Sequence, residues 1–309
     1  MKVYLSIPIK AEAQERLEKA GLQIDVNQNI ERPQNEDLLN IIKTHDIITI
    51  GIFQNLTKEM LAQIKEPKII ATMSIGLDHI DPTFFDNSFV KVVSIRTANA
   101  LSVAEHILMF MLALSKRAYE SNYLAIDYRG HRKYIMENDR PNDVSGKTLG
   151  LIGFGNVTKE LVRLTKVFNM KVLCYTKNPT KQERLNNKDV EFVGLNKVLG
   201  ESDFINVSIP LNEETRKLIS KEKIALIKKT ATFINTSRTE IVDTQALIEY
   251  AEDNKTFYVG LDIDIDEHEE LFTKYRRNVI VTPHTAGVSK EAIARMDDEI
   301  VDNIINLIK

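Results

Sequence analysis

Short apolar runs alternate with longer amphipathic stretches from the first residues onward. Strand-like runs fall at residues 3–7, 23–26 and 47–52, with helix-period stretches at 11–20 and 35–43 between them. Two further strand runs follow at 69–72 and 90–95, separated by SIGLDHIDPTFFDN. Such alternation predicts parallel βα units. The stretch 103–117, VAEHILMFMLALSKR, predicts a helix too apolar all round for a solvated surface, so it is expected to be buried at a domain or subunit contact. Residues 118–145 are polar, rich in Tyr, Asn and Arg and without clear period, which predicts a linker or dimerisation arm.

The middle of the chain carries a compound pattern. Residues 146–177, GKTLGLIGFGNVTKELVRLTKVFNMKVLCYTK, read as a strand at 149–152, a glycine turn, a helix and a second strand at 171–175. The missing side chains of Gly153 and Gly155 would let backbone N–H groups approach a pyrophosphate at a helix N-terminus, so a dinucleotide is the predicted guest. Two positions depart from that pattern: the third glycine of GxGxxG is Thr158, and the second strand ends in Thr176-Lys177 rather than in Asp or Glu. Further strands read at 191–193, 204–209, 232–235, 258–264 and 278–282, with helices in the gaps. About five strands precede the 103–117 helix and six follow the turn, so the dinucleotide unit is expected as an inserted domain. The closing amphipathic stretch, 290–309, has no strand of its own to pair with and is expected to return to the first domain. The predicted class is therefore α/β: two Rossmann-like doubly wound parallel-sheet domains, with the cofactor domain inserted into a flavodoxin-like substrate domain. The expected bounds are 1–98 with 286–309 for the substrate domain. Residues 99–285 form the dinucleotide-binding domain, including the long helix and the arm.

Composition narrows the function classes. The 309 residues, 43% hydrophobic, suffice for two buried cores. A formal charge of −3 with both signs interspersed offers neither a basic stripe for nucleic acid nor a polybasic membrane anchor. No apolar run approaches a membrane span and the N-terminal MKVYLSIPIK is too short for a signal peptide, leaving the cytoplasm as the expected compartment. Cys174, the single cysteine, lies in a strand-like run; it is expected to be core filling, with no disulfide framework and no cysteine metal site.

Three polar positions emerge at strand ends, where open α/β sheets bind ligands. Arg238 follows the run FINTS, Asp262 and Glu267 lie at or past GLDI, and His284 follows VIVTP. A guanidinium fork suits a small carboxylate, a histidine supplies a proton near neutral pH, and a neighbouring glutamate would hold its tautomer. The trio fits reduction of a 2-oxo acid. Plainer readings stand beside it: Arg238 as a cap on the helix beginning near Asp243, and Glu267 as part of a solvated acidic face at 262–270. His45, His79, His106, His131 and His268 lack the strand-Pro-His context and read as structural or exposed; His106, within the apolar helix, reads as a satisfied core histidine.

Taken in order, SIGLDHID at 74–81, ANALSVAEH at 98–106, GKTLGLIGFG, SIPLNEET at 208–215, INTSR at 234–238, GLDI at 260–263 and TPHTAG at 282–287 resemble the D-isomer-specific 2-hydroxyacid dehydrogenases across essentially the whole chain. The resemblance, of the glyoxylate and hydroxypyruvate reductase type, implies that Arg238 orients the substrate's carboxylate and carbonyl, that Glu267 partners the histidine, and that His284 donates a proton to the carbonyl oxygen. Ser74, Ile75 and Gly76 become the carboxylate loop. Cofactor contacts are implied for Gly153, Phe154, Gly155, Asn156 and Val157 in the turn, for Thr176 and Lys177 at the ribose, and for Pro210, Thr215, Thr236, Asp262, His284 and Ala286, with Asp262 at the nicotinamide amide. Arg238 and Glu267 stand 29 residues apart, the family's usual interval, and Glu267 and His284 stand 17 apart, at its short end. Thr239, His268 and Ser208 replace residues common in the family, without removing a catalytic group.

An acid at the ribose position accepts the 2′-hydroxyl and repels a 2′-phosphate, whereas Thr176 with Lys177, and Lys181 nearby, would welcome one, so NADP(H) is expected over NAD(H). The resulting expectation is an NADPH-dependent reductase of a small 2-oxo acid, homodimeric, with no metal. A dinucleotide-sensing, non-enzymatic interaction protein on the same scaffold and a phosphite or formate dehydrogenase are the alternatives. Formate-active relatives place Gln where Glu267 stands.

Overall fold

A computed structural model describes residues 1–29, 31–127, 140–178, 188–263 and 278–309. The chain divides into two compact units, Met1–Asn99 with Val288–Lys309, and Ala100–Gly287.

The first unit is built on a five-stranded parallel sheet. Its strands are β1 (Lys2–Leu5), β2 (Gln23–Val26), β3 (Ile47–Ile50), β4 (Lys68–Thr72) and β5 (Val90–Ser94), ordered β2-β1-β3-β4-β5. Crossovers cover both faces of such a sheet, so its central strand is buried throughout: all four residues of β3, three isoleucines and Thr49, are buried. The helix Ala11–Lys19 turns Ala13 and Leu17, four apart, inward, and Asn35–Thr44 does the same with Leu38, Leu39 and Ile42. The chain's last helix, Lys290–Ile308, belongs to this unit. Ser289 caps it by accepting the Ala292 N–H at 3.1 Å, and Met296, Ile300, Val301 and Ile304 pack with Val3, Leu5 and Leu17. Burial of each such side chain contributes roughly 1.5–3 kcal/mol. Polar contacts fix its register: the Glu299 carboxylate accepts the N–H groups of Arg96 (2.6 Å), Thr97 (3.2 Å) and Ala98 (2.9 Å), and Asn303 donates to the Ser94 carbonyl (3.0 Å).

The second unit holds seven parallel strands: β6 (Thr148–Ile152), β7 (Lys171–Tyr175), β8 (Glu191–Phe192), β9 (Phe204–Val207), β10 (Thr232–Asn235), β11 (Tyr258–Asp262) and β12 (Val279–Thr282). Their order, β12-β11-β10-β9-β6-β7-β8, steps away from β6 in both directions. The order therefore reverses between β6 and β9, and crossovers from these two strands leave on opposite faces, opening a crevice at their carboxyl ends. Cys174 is buried within β7.

The long apolar helix begins at Ala100, three residues before the periodic run, and ends at Ser115. Its stripe of Ala104, Ile107, Phe110, Met111 and Leu114 fills the second unit's own core beside Leu149, Leu161 and Ile234. At the contact with β11 there is no room for a side chain, because a Cβ on Gly260 would lie 2.8 Å from Phe110 Cγ. Within the stretch 118–145, read in the sequence as a linker or dimerisation arm without clear period, Ala118–Asp127 is helical. None of its described side chains is fully buried, so no apolar period marks it in the sequence, and Arg117, at φ +52°, breaks it from the preceding helix.

Gly260→Ala is expected to destabilise the protein by roughly 1–3 kcal/mol through overpacking against Phe110. Urea unfolding with an unchanged midpoint would contradict the close contact.

Candidate active site

In the second unit, every described residue assigned to cofactor or proton chemistry stands at or just beyond the carboxyl end of a strand. At the end of β6, Gly153 has φ +105°, and a Cβ there would meet the Ser208 carbonyl oxygen at 2.3 Å, so only glycine fits. Gly155 precedes the helix Asn156–Thr165, and a Cβ on it would meet nothing within 4 Å. The space before that helix N-terminus is thus kept clear of side chain, and the N–H ends of the first turn, including Val157, face it. This cradle fits a pyrophosphate. Phe154 points the other way, edge-on to Phe192 at 5.1 Å in the core.

Thr158 shows why the third glycine can be dispensed with. Its fully buried side chain accepts the Gly155 N–H at 2.8 Å and donates to the Gly155 carbonyl at 3.0 Å. The threonine acts as an N-terminal cap; the spacing of three was the available signal, obscured by reading the position only against glycine.

Beyond β7, Thr176 is half-buried and Lys177 is exposed, with its ammonium paired to the Glu214 carboxylate. Lys181 lies outside the described residues. The loop after β9 is closed by Thr215, whose hydroxyl donates to the Pro210 carbonyl (2.7 Å) and accepts the Asn212 N–H (2.8 Å).

At the end of β10, buried Asn235 braces the following turn. It donates to the Arg238 carbonyl (2.9 Å) and accepts the Ser237 N–H (3.0 Å). Thr236 Oγ1 is shielded and has no hydrogen-bond partner among the described residues, a polar group suited to a ligand. Arg238 is half-buried, with Nη1 3.0 Å from the Ser237 carbonyl. It does not cap the next helix: the side chain of Asp243 accepts the Ala246 N–H at the start of Thr244–Asp253.

β11 and β12 end on a shared anion. Asp262, 1% exposed, accepts the Thr282 hydroxyl at 2.5 Å and the N–H groups of Thr285 and Ala286 at 2.8 Å each. Ser102 donates to the Ala286 carbonyl at 2.8 Å. Between these ties stands His284, half-buried and in the left-handed region at φ +52°, its N–H donating to the Thr282 carbonyl at 2.9 Å. A non-glycine residue holds that conformation only where its surroundings impose it, and Asp262 is what imposes it here.

His106 completes the arrangement. Its Nε2 lies 2.9 Å from Thr282 Oγ1, and since the hydroxyl proton is directed to Asp262, Nε2 must carry the proton it donates. Burial pushes its pKa below the usual imidazole value, against the opposing pull of Asp262 at 3.9 Å. His106 is thus a satisfied histidine. Its link to Thr282 spans 176 residues and leaves no local mark. Glu267 and His268 lie outside the described residues.

In the first unit, the segment Ser74, Ile75, Gly76 follows β4. Ser74 donates to the Gly76 carbonyl (2.8 Å), so the Thr72 hydroxyl, 2.7 Å from Ser74 Oγ, must donate to it. His79 Nε2, 3.0 Å from Thr72 Oγ1, must in turn donate to Thr72. His79 is buried, and Ile75 is exposed.

Residues 108–286 match the family profile "D-isomer specific 2-hydroxyacid dehydrogenase, NAD binding domain". Hydroxypyruvate reductase of Thermotoga maritima is 32% identical over 98% of this chain and 97% of its own. Glyoxylate reductase of Pyrococcus furiosus is 27% identical over 98% and 91%. Among solved structures, an acyclic imino acid reductase in complex with NADPH and D-arginine superposes with a TM-score of 0.89 at 25% identity, over 100% of this chain and 97% of that one.

Asp262→Ala would leave three donors without an acceptor and is expected to lower stability by roughly 3–5 kcal/mol; a loss below about 1 kcal/mol in urea unfolding would contradict the network. Because the folded-state pKa of His106 is depressed, the unfolded chain protonates first as pH falls. Stability from this group is complete above the unfolded imidazole pKa and is lost as pH falls through that value toward the folded one. His106→Gln is expected to flatten that part of the stability–pH curve; an unaltered curve would count against it.

Proposed function

Because the chain belongs to the D-isomer-specific 2-hydroxyacid dehydrogenase family, we propose that it is a nicotinamide-dependent reductase of small 2-oxo acids, of the glyoxylate or hydroxypyruvate type, forming the D-2-hydroxy acid. The observation carrying this reading is the placement of Arg238 and His284 beyond β10 and β12, the parallel strands on either side of β11, on the edge that also holds the glycine turn. Two relatives named for these substrates, each aligned over nearly the whole chain, support it.

The cofactor, when bound, supplies the hydride. Gly155 and the first turn of Asn156–Thr165 are assigned to its pyrophosphate, Thr176 and Lys177 to its ribose, and Pro210, Thr215 and Thr236 to its length. Asp262 uses three of its roughly four acceptor directions on the His284 segment, leaving one for the nicotinamide amide. Arg238 orients the substrate's carboxylate and carbonyl by its planar fork. His284 gives a proton to the carbonyl oxygen as the carbon is reduced, so 2-oxo acid, reduced cofactor and one proton become hydroxy acid and oxidised cofactor. Glu267 is assigned to hold the imidazole, and the Ser74–Gly76 segment of the first unit to the substrate carboxylate.

NADPH is the preferred reductant in this reading, since the end of β7 presents a threonine and a lysine and no acid. The NADPH complex of the imino acid reductase lends support. The protein is proposed to work as a homodimer, with exposed Met109, Tyr119 and Ile126 on adjoining helices favouring that assignment.

A panel of 2-oxo acids with NADH and NADPH, followed by nicotinamide absorbance, is expected to show glyoxylate or hydroxypyruvate reduction with NADPH favoured. His284→Ala should lower kcat by about 10²–10⁴-fold. Turnover equal to that of the variant would instead indicate a dinucleotide-sensing protein, phosphite-dependent NADP⁺ reduction would move the substrate class, and equal efficiency with NADH would overturn the cofactor preference.

A further inference from the structure

β7 and β9 flank β6, so side chains extending from their carboxyl ends can meet across the glycine turn. Lys177, two residues beyond β7, and Glu214, in the loop after β9, do so as an ion pair. The pair lies where a dinucleotide's adenosine ribose is expected on this fold. Glu214 is held from behind: Asn212 Oδ1 accepts its N–H at 3.0 Å and that of Thr215 at 3.1 Å, and Thr215 ties the loop to the Pro210 carbonyl. Both charged side chains are largely exposed, at 72% and 67%. Exposed pairs contribute little to stability, so this one can open at small cost.

We propose that Glu214 supplies in space the acid that the end of β7 lacks in sequence, and that its competition for Lys177 sets the balance between the phosphorylated and unphosphorylated cofactor. The inference rests on the assignment of Lys177 to the ribose. A 2′-phosphate reaches Lys177 only by displacing a carboxylate already paired with it, and then remains beside that negative charge. A ribose 2′-hydroxyl meets no such conflict, since it can donate to the carboxylate. Lys177 alone would discriminate strongly for NADPH; Glu214 moderates that discrimination and keeps NADH binding open.

Dissociation constants for NADPH and NADH, measured by the fluorescence of the reduced nicotinamide without substrate, test this on the whole protein with Glu214→Gln, Lys177→Gln and the double variant. Glu214→Gln is expected to tighten NADPH by about three- to tenfold, to leave NADH equal or weaker, and to lose most of this effect near 1 M salt. In the Lys177→Gln background the same change should do less. If Glu214→Gln leaves the NADPH to NADH ratio unchanged while Lys177→Gln lowers it, the role of Glu214 is overturned and the ribose assignment of Lys177 stands. If neither variant moves the ratio, that assignment falls as well.

Discussion

A parallel sheet admits only crossover connections, and every strand therefore delivers its carboxyl end to the same edge. In the second unit seven strands obey that constraint, and the reversal of order at β6 parts the crossovers there. All else at the site follows from this geometry. Gly153, Lys177, Glu214, Thr236, Arg238, Asp262 and His284 are scattered over more than a hundred positions of chain yet arrive along one edge because each ends or follows a strand. The tolerance is small where strands meet: the Ser208 carbonyl excludes any Cβ from Gly153.

Two directed hydrogen-bond chains set the loops on that framework. In the second unit protons point from His106 through Thr282 to Asp262, and Asp262 holds the backbone on the far side of His284. In the first, they point from His79 through Thr72 and Ser74 to the Gly76 carbonyl. Each begins at an imidazole N–H, passes hydroxyls and ends on an oxygen, so each has one consistent set of proton positions. Such chains restrict the loops before any ligand arrives, which lowers the ordering cost of binding. Neither histidine needs to touch substrate to matter.

Much of the scaffold was legible residue by residue. The strands at 171–175 and 232–235 are bounded in sequence as in space, because the faces of a strand inside a parallel sheet demand apolar residues and the neighbouring turns are polar. The helix Ala118–Asp127 was not legible, since none of its described side chains is fully buried and such a helix imposes no period. Thr158 was legible as a departure but not as a cap, which requires knowing that its hydroxyl turns back to Gly155. Asp262 stood out at a strand end, yet its three donors come from residues 20 to 24 positions later, beyond any local pattern.

By itself, then, the sequence determined the alternation of elements, the glycine turn and the residue types at the strand ends. These depend on periodicity and on which side chains a tight turn allows, and both are local. Only the tertiary structure decided which groups share a proton and which share a charge: that Asp262 grips the His284 segment, that His106 is a donor, and that the acid missing after Tyr175 has a counterpart in Glu214. Those outcomes depend on distances between strands that are neighbours in the sheet but remote along the chain, and no spacing within the sequence encodes them.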